Sequence, residues 1–394
     1  MGRSSAKILT THGGSLIRPP ELIAILRARE SGSGYDAATH EKILKGAIAT
    51  VVREQAAAGI DIVSDGEFGK SISWSRYIVE RISGFEQRFD ESAAALKKGE
   101  VVLPSRDRRA FPDFFAEYDK TQGLGGSLEG WVCHDPIKYV GQAALAKDIA
   151  NFKAALAGED VADGFMPVVA PASVLPYARD EYYPNDRDRL LAVADAMAHE
   201  YRAIVDAGLL VQIDDAWLPD MYDKSVPPST MEEYRRWAGL CVDALNHALR
   251  DIPPDRVRYH ICWGSFNSPH TGDVPLKEII DLVLSIRAGG FSIEMANPRH
   301  EHEWRLWESV RLPAGSVLIP GVISHQTNVV EHPELVAERI TRLARLVGRE
   351  NVIAGTDCGF AQGPFVRRVH PSIMWAKLRS LAEGAQIASR ELFG

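Results

Sequence analysis

The sequence predicts a (β/α)8 TIM barrel, an α/β fold, with an insertion after the second strand. Eight short runs of β-forming residues occur along the chain. Several are almost continuous Val, Ile and Leu, as in strands that are buried on both faces. Helical patterns separate most of these runs, and such alternation indicates a parallel sheet. Eight units favour a closed barrel over an open doubly wound sheet.

The predicted elements follow from these runs in chain order. The strands are Lys7–Thr11, Ile60–Ser64, Met166–Ala170, Leu209–Asp214, Arg256–Cys262, Gly290–Glu294, Ser316–Val322 and Asn351–Thr356. The strong helical patterns are Thr39–Ala58, Asp186–Ala207, Met231–Arg250, Pro275–Ala288, His332–Val347 and His370–Glu383. A dinucleotide-binding fold would need a Gly-x-Gly-x-x-Gly turn after an early strand. The nearest candidate, Thr11-His12-Gly13-Gly14-Ser15, lacks that spacing.

One long segment between the second and third predicted strands interrupts the alternation. It includes Gln87–Gly141, which is rich in charged residues and Gly and also contains several aromatic residues. Long insertions in compact domains are usually lids, binding loops or mobile surface, and a solvated excursion or an oligomer contact fits equally well. We therefore expect a single barrel domain over residues 1–394, with residues 87–141 as an inserted lid or surface subdomain.

The composition of the 394-residue chain is that of a globular protein and excludes several functional classes. Its 45 Lys and Arg against 53 Asp and Glu give a net charge of −8, without a dense basic run, which argues against nucleic-acid binding. No stretch approaches the about 18 apolar residues of a transmembrane helix, so no membrane partner is expected. Its four cysteines do not make a disulfide framework and fit a reducing cytoplasm. The sequence leaves homo-oligomerisation open.

Functional residues in a parallel barrel lie at the C-terminal ends of its strands. Six of the eight predicted strands end in, or lead to, ionisable or thiol side chains. In chain order these side chains are Asp65 and Glu67, Asp214, His260 and Cys262, Glu294, His325, and Asp357 with Cys358. Random placement would not concentrate these residue types at one end, so we expect the functional site there.

His260 and Cys262 are two residues apart on a predicted strand, so their side chains point to the same face. With Cys358 on another strand and Glu294 on the neighbouring one, they offer N, S, S and O ligands, a set that suits Zn²⁺. Two thiolates and a carboxylate leave such a centre with a net negative charge, which makes it a poor Lewis acid for water. It is instead suited to holding a substrate thiol as the more nucleophilic thiolate.

Five motifs follow one another along the chain: Thr10–Pro19, Asp65–Glu67, Gln212–Asp214, His260–Cys262 and Asp357–Gly359. In this order they resemble the C-terminal catalytic barrel of the cobalamin-independent methionine synthases. The resemblance covers nearly the whole chain except residues 87–141. It implies zinc ligation by His260, Cys262, Glu294 and Cys358. It also implies an amino-acid-type thiol substrate that contacts Ser15, Glu67 and Asp214.

Four further motifs are Cys262–Gly264, Pro269–His270, Asp273–Leu276 and Ala296–Trp304. In these the chain resembles single-barrel members of the superfamily, including the epoxyalkane:coenzyme M transferases. It departs from the synthases at Ile17, where Pro is expected, at Asp215–Trp217, and in a longer stretch between Cys262 and Glu294. We also expect it to lack their duplicated N-terminal barrel. These departures bear on the folate donor and on homocysteine, but not on the zinc chemistry.

His325, Asp214 and Glu67 are the predicted catalytic residues. A His at a barrel mouth, near a leaving group, is placed to act as a general acid, and the alternative for His325 is a solvated loop residue. Glu67 and Asp214 are placed to hold the ammonium group of an amino acid, and the alternative is that they form ordinary strand-end hydrogen bonds or helix caps. A sulfonate thiol would instead require basic residues such as Arg18 or Arg299.

Trp263 is predicted to line the substrate pocket, with packing at the barrel rim as the alternative. The nearby run His300-Glu301-His302-Glu303 contains four potential metal ligands. Because adjacent residues at the start of a helix point in different directions, this run is a poor metal cage. We interpret it as solvated, or as supporting the residues that bind the metal.

Together these residues predict a zinc-dependent transferase that moves an alkyl group, most simply methyl, onto a small-molecule thiol without requiring cobalamin. Methyl-folate, a methyl-corrinoid or an epoxide remains open as the donor. The runner-up is the opening of an epoxide by coenzyme M or a related thiol. Two rivals come from other classes. A metal-free lyase of the uroporphyrinogen decarboxylase type leaves His260, Cys262 and Cys358 unexplained, and a zinc or thiol carrier would not be an enzyme.

Overall fold

The structure is a computed structural model that describes residues 2–88, 105–122, 130–176, 178–225 and 229–394. Its strands are β1 (Leu9–Thr10), β2 (Ile62–Ser64), β3 (Ile82–Gln87), β4 (Trp131–Tyr139), β5 (Asp163–Val169), β6 (Arg179–Asp180), β7 (Leu210–Asp214), β8 (Val257–Ile261), β9 (Gly290–Ile293), β10 (Val317–Ile323) and β11 (Ile353–Thr356). Eight of them form a parallel sheet in the order β1, β11, β10, β9, β8, β7, β5, β2. The predicted barrel is confirmed, and each predicted strand overlaps one of these eight.

The two ends of the sheet, β1 and β2, lie next to each other. The backbone N–H of Asp61 donates to the carbonyl of Thr10 at 3.2 Å, and the hydroxyl of Thr11 donates to the carbonyl of Ile62 at 2.9 Å. The carboxylate of Asp61 also accepts from the backbone N–H of Thr10 at 2.9 Å. These contacts bring together β1 and β2, the two edge strands of the sheet, so the barrel is nearly closed.

A layer of buried apolar side chains fills the barrel near the N-terminal ends of its strands. Its members are Leu9, Ile62, Phe165, Leu210, Val317, Ile319 and Ile353. Next to this layer, the guanidinium of Arg258 lies 3.9 Å from the centre of the Phe165 ring and donates to the hydroxyl of Thr11 at 2.9 Å. His260 is two residues further along β8 and points to the same face as Arg258. The apolar layer thus leaves the C-terminal end of the barrel for a ligand.

The helices are Pro20–Ser31, Ala37–Ala57, Arg106–Ala110, Pro112–Gln122, Gln142–Leu156, Asp186–Asp206, Trp217–Ser225, Met231–Ala248, Ile280–Leu284, Pro333–Val347 and Pro371–Phe393. The predicted helix Pro275–Ala288 is instead a 3-10 turn, Leu276–Glu278, followed by a short helix. Between the two lies Ile279, whose φ of −132° interrupts the helical backbone conformation. Among the described residues, no helix has the length and apolar character to cross a membrane.

A second sheet is built around the predicted insertion. In it β3 pairs antiparallel with β4, and β4 pairs parallel with β6, so the predicted segment 87–141 begins at the last residue of β3 and ends just after β4. Within the segment, the carboxylate of Asp107 accepts hydrogen bonds from Thr271 and Gly272, and the backbone N–H of Asn267 donates to the hydroxyl of Tyr118. The described part of the insertion therefore packs on the loop after β8. Its function as a lid stays a prediction.

Candidate metal centre and substrate cavity

Three of the four predicted metal ligands lie together at the C-terminal end of the barrel. His260 is on β8, Cys262 directly follows that strand, and Cys358 lies two residues after β11. Their ligand atoms are all within 4.8 Å of one another. Because β9 and β10 separate β8 from β11 in the sheet, the curvature of the barrel is what brings the three side chains together.

The imidazole of His260 is held in the orientation that a metal ligand needs. Its Nδ1 lies 3.0 Å from the hydroxyl of Ser292 on β9, while its Nε2 is buried and has no well-formed hydrogen bond. Buried polar atoms without partners are rare in folded proteins, and a metal-binding His generally has its other ring nitrogen hydrogen-bonded in this way. Burial lowers the pKa of His260, but the neighbouring Cys358 and the charge of Asp214 together raise it above its usual value. The arrangement fits a soft metal ion.

The two cysteines share one environment but differ in their acidity. Their Sγ atoms are 3.8 Å apart, and the Sγ of Cys358 also lies 3.2 Å from the hydroxyl of Ser265. Contact with Cys262 lowers the pKa of Cys358 well below its usual value, and contact with Cys358 raises the pKa of Cys262. One thiolate is therefore favoured even without a metal ion. A divalent cation would favour the second thiolate as well.

Glu294, the fourth predicted ligand, directly follows β9 and is fully buried. Its carboxylate falls in a second group with His325 and Asp357, whose ligand atoms also lie within 4.8 Å of one another. Its Oε2 is 3.4 Å from the backbone N–H of Trp263, and its Oε1 has no hydrogen-bond partner. Burial raises its pKa well above the usual range, with Asp357 and Cys358 adding to the effect. Glu294 thus adjoins the three ligands without joining their group.

His325 lies after β10 with its side chain fully buried and is not a solvated loop residue. Both of its ring nitrogens lack hydrogen-bond partners, and its Nδ1 is 3.9 Å from the Oε1 of Glu294. Burial lowers its pKa to about 4. The imidazole is therefore neutral at pH 7 and is a weak base.

A cavity of about 410 Å³ opens at this end of the barrel. Residues predicted to bind substrate and metal share its lining: Ser15, Glu67, Asp214, His260, Cys262 and Cys358. Aromatic side chains form much of the remaining wall: Trp74, Trp131, Trp217, Phe266 and Phe365. The structure thus brings the predicted acceptor residues and the sulfur ligands into one space large enough for a small molecule.

The two carboxylates in the cavity, those of Glu67 and Asp214, differ in how their negative charge is balanced. Glu67 adopts a left-handed backbone conformation, with φ of 61°, and its Oε2 lies 2.9 Å from the ammonium of Lys70. Asp214 accepts a hydrogen bond from Gln212 at 2.8 Å. Burial, reinforced by the charge of Glu67, raises the pKa of Asp214 to about 7. Glu67 is thus paired with a lysine, whereas Asp214 forms no ion pair with a lysine or arginine in the described part of the chain.

Trp263 is not among the cavity-lining residues. It is 2% exposed, and its indole N–H donates to the carbonyl of Val274 at 2.8 Å. The arginines suggested for a sulfonate are also engaged elsewhere: Arg18 donates to the backbone carbonyls of Glu67 and Lys70, and Arg299 donates to that of His270. Neither of them lines the cavity.

Sequence reasoning assigned no role to three supporting residues, Ser292, Lys70 and Gln212, although Gln212 belongs to one of the motifs that it used. Ser292 is two residues before Glu294, so strand alternation places it on the same face and was a usable signal. Gln212 precedes Asp214 by the same spacing. Lys70 carried no such signal, because it lies in the irregular segment after β2, where no periodicity fixes the direction of a side chain.

No family model matches the chain, but named relatives do. A methionine synthase of Sulfolobus acidocaldarius is 23% identical over 389 residues, which cover 97% of this chain and 93% of that protein. The 2-hydroxypropyl-CoM lyase of Xanthobacter autotrophicus is 24% identical over 378 residues, which cover 89% of this chain and 87% of that protein. Both alignments cover most of the chain.

A solved structure gives the same fold. It is that of a B12-independent methionine synthase from Shewanella sp. W3-18-1 in complex with selenomethionine, with a TM-score of 0.70 and 18% sequence identity. The match covers 98% of this chain and 99% of that one, and at this identity it supports the barrel fold. The predicted resemblance is thereby confirmed: over nearly its whole length the chain is a homologue of proteins named methionine synthase and 2-hydroxypropyl-CoM lyase.

Proposed function

We propose that this chain is a zinc-dependent transferase that moves a methyl or other alkyl group from a small-molecule donor to the sulfur of a small-molecule thiol. The observation that carries the proposal is the ligand trio in the cavity wall. His260, Cys262 and Cys358 converge there, with the Nε2 of His260 buried and unpartnered. Relatives named for methionine synthesis and for a coenzyme M adduct support chemistry at a thiol.

His260, Cys262 and Cys358 would hold the zinc ion, with Glu294 as the proposed fourth ligand. Zinc bound there would keep an acceptor thiol deprotonated near neutral pH, where a free thiol with a pKa near 8.5 stays mostly protonated. Ser292 would hold the imidazole of His260 in place through Nδ1. Because an acceptor sulfur also needs a coordination position, Glu294, the weakest of the four ligands on grounds of softness, would be the one to give way.

Ser15, Glu67 and Asp214 are the proposed acceptor-binding residues. Lys70 already compensates Glu67, so the ammonium group of an amino-acid thiol would chiefly balance Asp214. Burial and the charge of Glu67 raise the pKa of Asp214 to about 7. A bound ammonium would favour its carboxylate form and would thereby gain a charged hydrogen bond.

His325 is the proposed proton carrier of the site. It is neutral at pH 7, because burial lowers its pKa, and it adjoins Glu294 and Cys358. A proton passed on from the acceptor thiol would be held only weakly on this imidazole, because its pKa is about 4, and the imidazolium would be a strong acid. It is then suited to act as a general acid, returning that proton to the leaving group of the donor.

A second candidate is the addition of a thiol to an epoxide. The relative from Xanthobacter favours it, as does the aromatic wall of the cavity, which suits a small apolar electrophile. In that reaction the thiolate sulfur would bond to an epoxide carbon, the carbon–oxygen bond would break, and the alkoxide would take up a proton. A metal-free lyase would leave the convergence of His260, Cys262 and Cys358 without a purpose.

The test combines zinc analysis with a screen of acceptors. Homocysteine, coenzyme M and glutathione are offered with methyl donors and with epoxides, in the presence and absence of zinc. For an amino-acid acceptor we expect Asp214→Asn to raise the KM about 10- to 100-fold, since a hydrogen bond to a charged group contributes about 1.5–3 kcal/mol. Glu67→Gln should raise the KM less, because Lys70 already compensates Glu67. Thiol alkylation that proceeds equally well in zinc-free protein would refute the proposal.

A further inference from the structure

Four side chains that the proposed reaction does not use form a buried chain of hydrogen bonds beside the metal ligands. The chain, here called the charge chain, consists of His270, Asp273, His300 and Glu303. Oδ2 of Asp273 lies 2.9 Å from Nδ1 of His270 and 2.9 Å from Nε2 of His300. Nδ1 of His300 lies 2.9 Å from Oε2 of Glu303. The side chains are only 4–12% exposed.

The partners fix the protonation states of the charge chain. Each ring nitrogen of His300 faces a carboxylate, which can only accept, so His300 must donate from both nitrogens and is an imidazolium. His270 likewise lies between Asp273 and the carbonyl of Phe266, at 2.9 and 2.8 Å. Burial opposes the charged form of His300, but Asp273 and Glu303 raise its pKa to about 9. The chain therefore alternates in charge and is neutral as a whole.

The charge chain touches the metal-binding loop through an aromatic ring. The imidazolium of His300 stacks on the indole of Trp263, with ring centroids 3.8 Å apart and planes inclined by 19°. A cation over an indole face is attracted by the ring electrons, more strongly when both are desolvated. Trp263 directly follows Cys262, and its backbone N–H lies 3.4 Å from the carboxylate of Glu294.

The charge chain also connects three loops that carry proposed site residues. His270 and Asp273 lie in the loop after β8, and His300 and Glu303 lie in the loop after β9. Oε1 of Glu303 accepts from the backbone N–H of Leu276 at 2.6 Å. Gln326, in the loop after β10, donates to the carbonyl of Phe266 at 3.0 Å, the same carbonyl that His270 contacts.

Stability alone does not explain this arrangement. Buried ion pairs lose much of their attraction to desolvation, and apolar side chains of similar volume often give equal stability. His270 moreover adopts φ of 54°, a conformation that its surroundings must maintain. Both features are expected if these residues serve to fix the positions of the loops rather than to increase the free energy of unfolding.

We infer that His270, Asp273, His300 and Glu303 are positioning residues that hold Cys262 and Glu294 in the geometry for metal binding by clamping the indole of Trp263. The inference rests on the proposed zinc site. It gives the run His300–Glu303 a supporting role in which only its first and last members take part. His300 is the N-cap residue of the 3-10 helix Glu301–Glu308, and at this spacing the side chains of His300 and Glu303 lie on one side.

The test measures how fast zinc leaves the zinc-loaded protein when a chelator is added. We expect two variants to release zinc about 10-fold faster or more. His300→Phe keeps an aromatic ring but loses both ion pairs, and Asp273→Asn is the milder change. Trp263→Phe, which keeps a ring beside His300, is expected to lie between the wild type and Trp263→Leu. Zinc X-ray absorption of the loaded variants reports whether the sulfur and oxygen ligands are retained.

The matched control is Glu200→Gln. Glu200 is a buried carboxylate that pairs with Arg81 and also accepts from Tyr77 and Tyr139, away from the loops of the metal site. Even where Glu200→Gln lowers the melting temperature as much as a charge-chain variant does, it should release zinc at the wild-type rate. Equal release rates for charge-chain variants and control, with zinc bound, would overturn this inference alone. Absence of zinc binding by the wild type would overturn it together with the proposed function.

Discussion

Cys262 and Cys358 act as a pair, because the contact between their sulfur atoms lowers the pKa of one and raises that of the other. We expect the purified protein to hold about one zinc ion per chain and Cys262→Ser or Cys358→Ser to lose most of it, since a serine hydroxyl is a poor substitute for a thiolate ligand. Elemental analysis after gel filtration measures the zinc content.

Cys241 supplies the control for this prediction. It is buried in the helix Met231–Ala248, outside the candidate ligand groups of the described residues. Cys241→Ser should therefore keep the wild-type zinc content, even if its melting temperature falls. Full zinc occupancy in the Cys262/Cys358 double variant would show that the metal binds elsewhere.

Ser292 is the residue through which β9 orients His260. Its removal by Ser292→Ala leaves Nδ1 of His260 without its hydrogen bond, and loss of such a supporting contact typically lowers metal affinity about 10- to 100-fold. Competition with a chromophoric chelator measures the affinity. Ser4→Ala, which removes another buried hydroxyl near the opposite end of the barrel, should leave it unchanged. Equal affinities for the wild type and Ser292→Ala would mean that packing alone orients the ring.

At the scale of the elements, the period of each strand made much of the site predictable. Alternation placed His260 and Cys262 on one face, and the rule for strand ends placed Asp214 and Glu67 at the same mouth, where the structure has them. Distances between strands could not be predicted in this way. The carboxylate of Glu294 groups with His325 and Asp357 because the curvature of the barrel, which no single strand encodes, sets the spacing between β9, β10 and β11.

The loops were the least predictable elements. The segment from Pro275 to Ala288 has a helical pattern, but it forms a 3-10 turn and a short helix that are separated at Ile279, where φ is −132°. Trp263 follows a strand end and suggested a pocket residue, yet it turns toward His300. The position of Trp263 depends on a contact between loops that are distant in sequence, and periodicity carries no information about such contacts.

Asp107 anchors the described part of the insertion on the loop after β8. It accepts three hydrogen bonds from Thr271 and Gly272. Because hydrogen bonds to a charged group contribute about 1.5–3 kcal/mol each, we expect Asp107→Ala to speed amide hydrogen exchange in residues 105–122 and to leave exchange in the barrel strands unchanged. Mass spectrometry of peptic peptides measures the exchange. Glu117→Gln changes an exposed carboxylate of the same segment and should match the wild type.

At the scale of the whole molecule, the barrel buries several carboxyl groups whose pKa values are raised by desolvation. They are Asp65, Asp214, Asp215 and Asp357. A buried carboxyl group binds its proton more tightly in the folded state than in the unfolded state. Without metal, the folded protein therefore loses stability as these groups ionise, and a cation in the cavity would offset part of that loss.

Asp215 allows this effect to be isolated, because it lies next to Asp214 in sequence but contacts Ser173 and Tyr259. Burial raises its pKa from the usual value to about 6. Between pH 4 and 6 the folded state thus binds more protons than the unfolded state, so the free energy of unfolding falls as the pH rises through this range. Asp215→Asn removes the titration and leaves the shape of the side chain unchanged.

Relative to the wild type, Asp215→Asn should therefore gain stability as the pH rises from 4 to 7, by about 2–3 kcal/mol, since one pKa unit corresponds to about 1.36 kcal/mol. Urea unfolding of both metal-free proteins at several pH values measures the difference. Asp251→Asn, at an exposed position, controls for the loss of one charge. The difference in unfolding free energy between Asp215→Asn and the wild type could instead stay constant with pH. That result would mean that the hydrogen bonds from Ser173 and Tyr259 keep Asp215 ionised throughout and offset the cost of its burial.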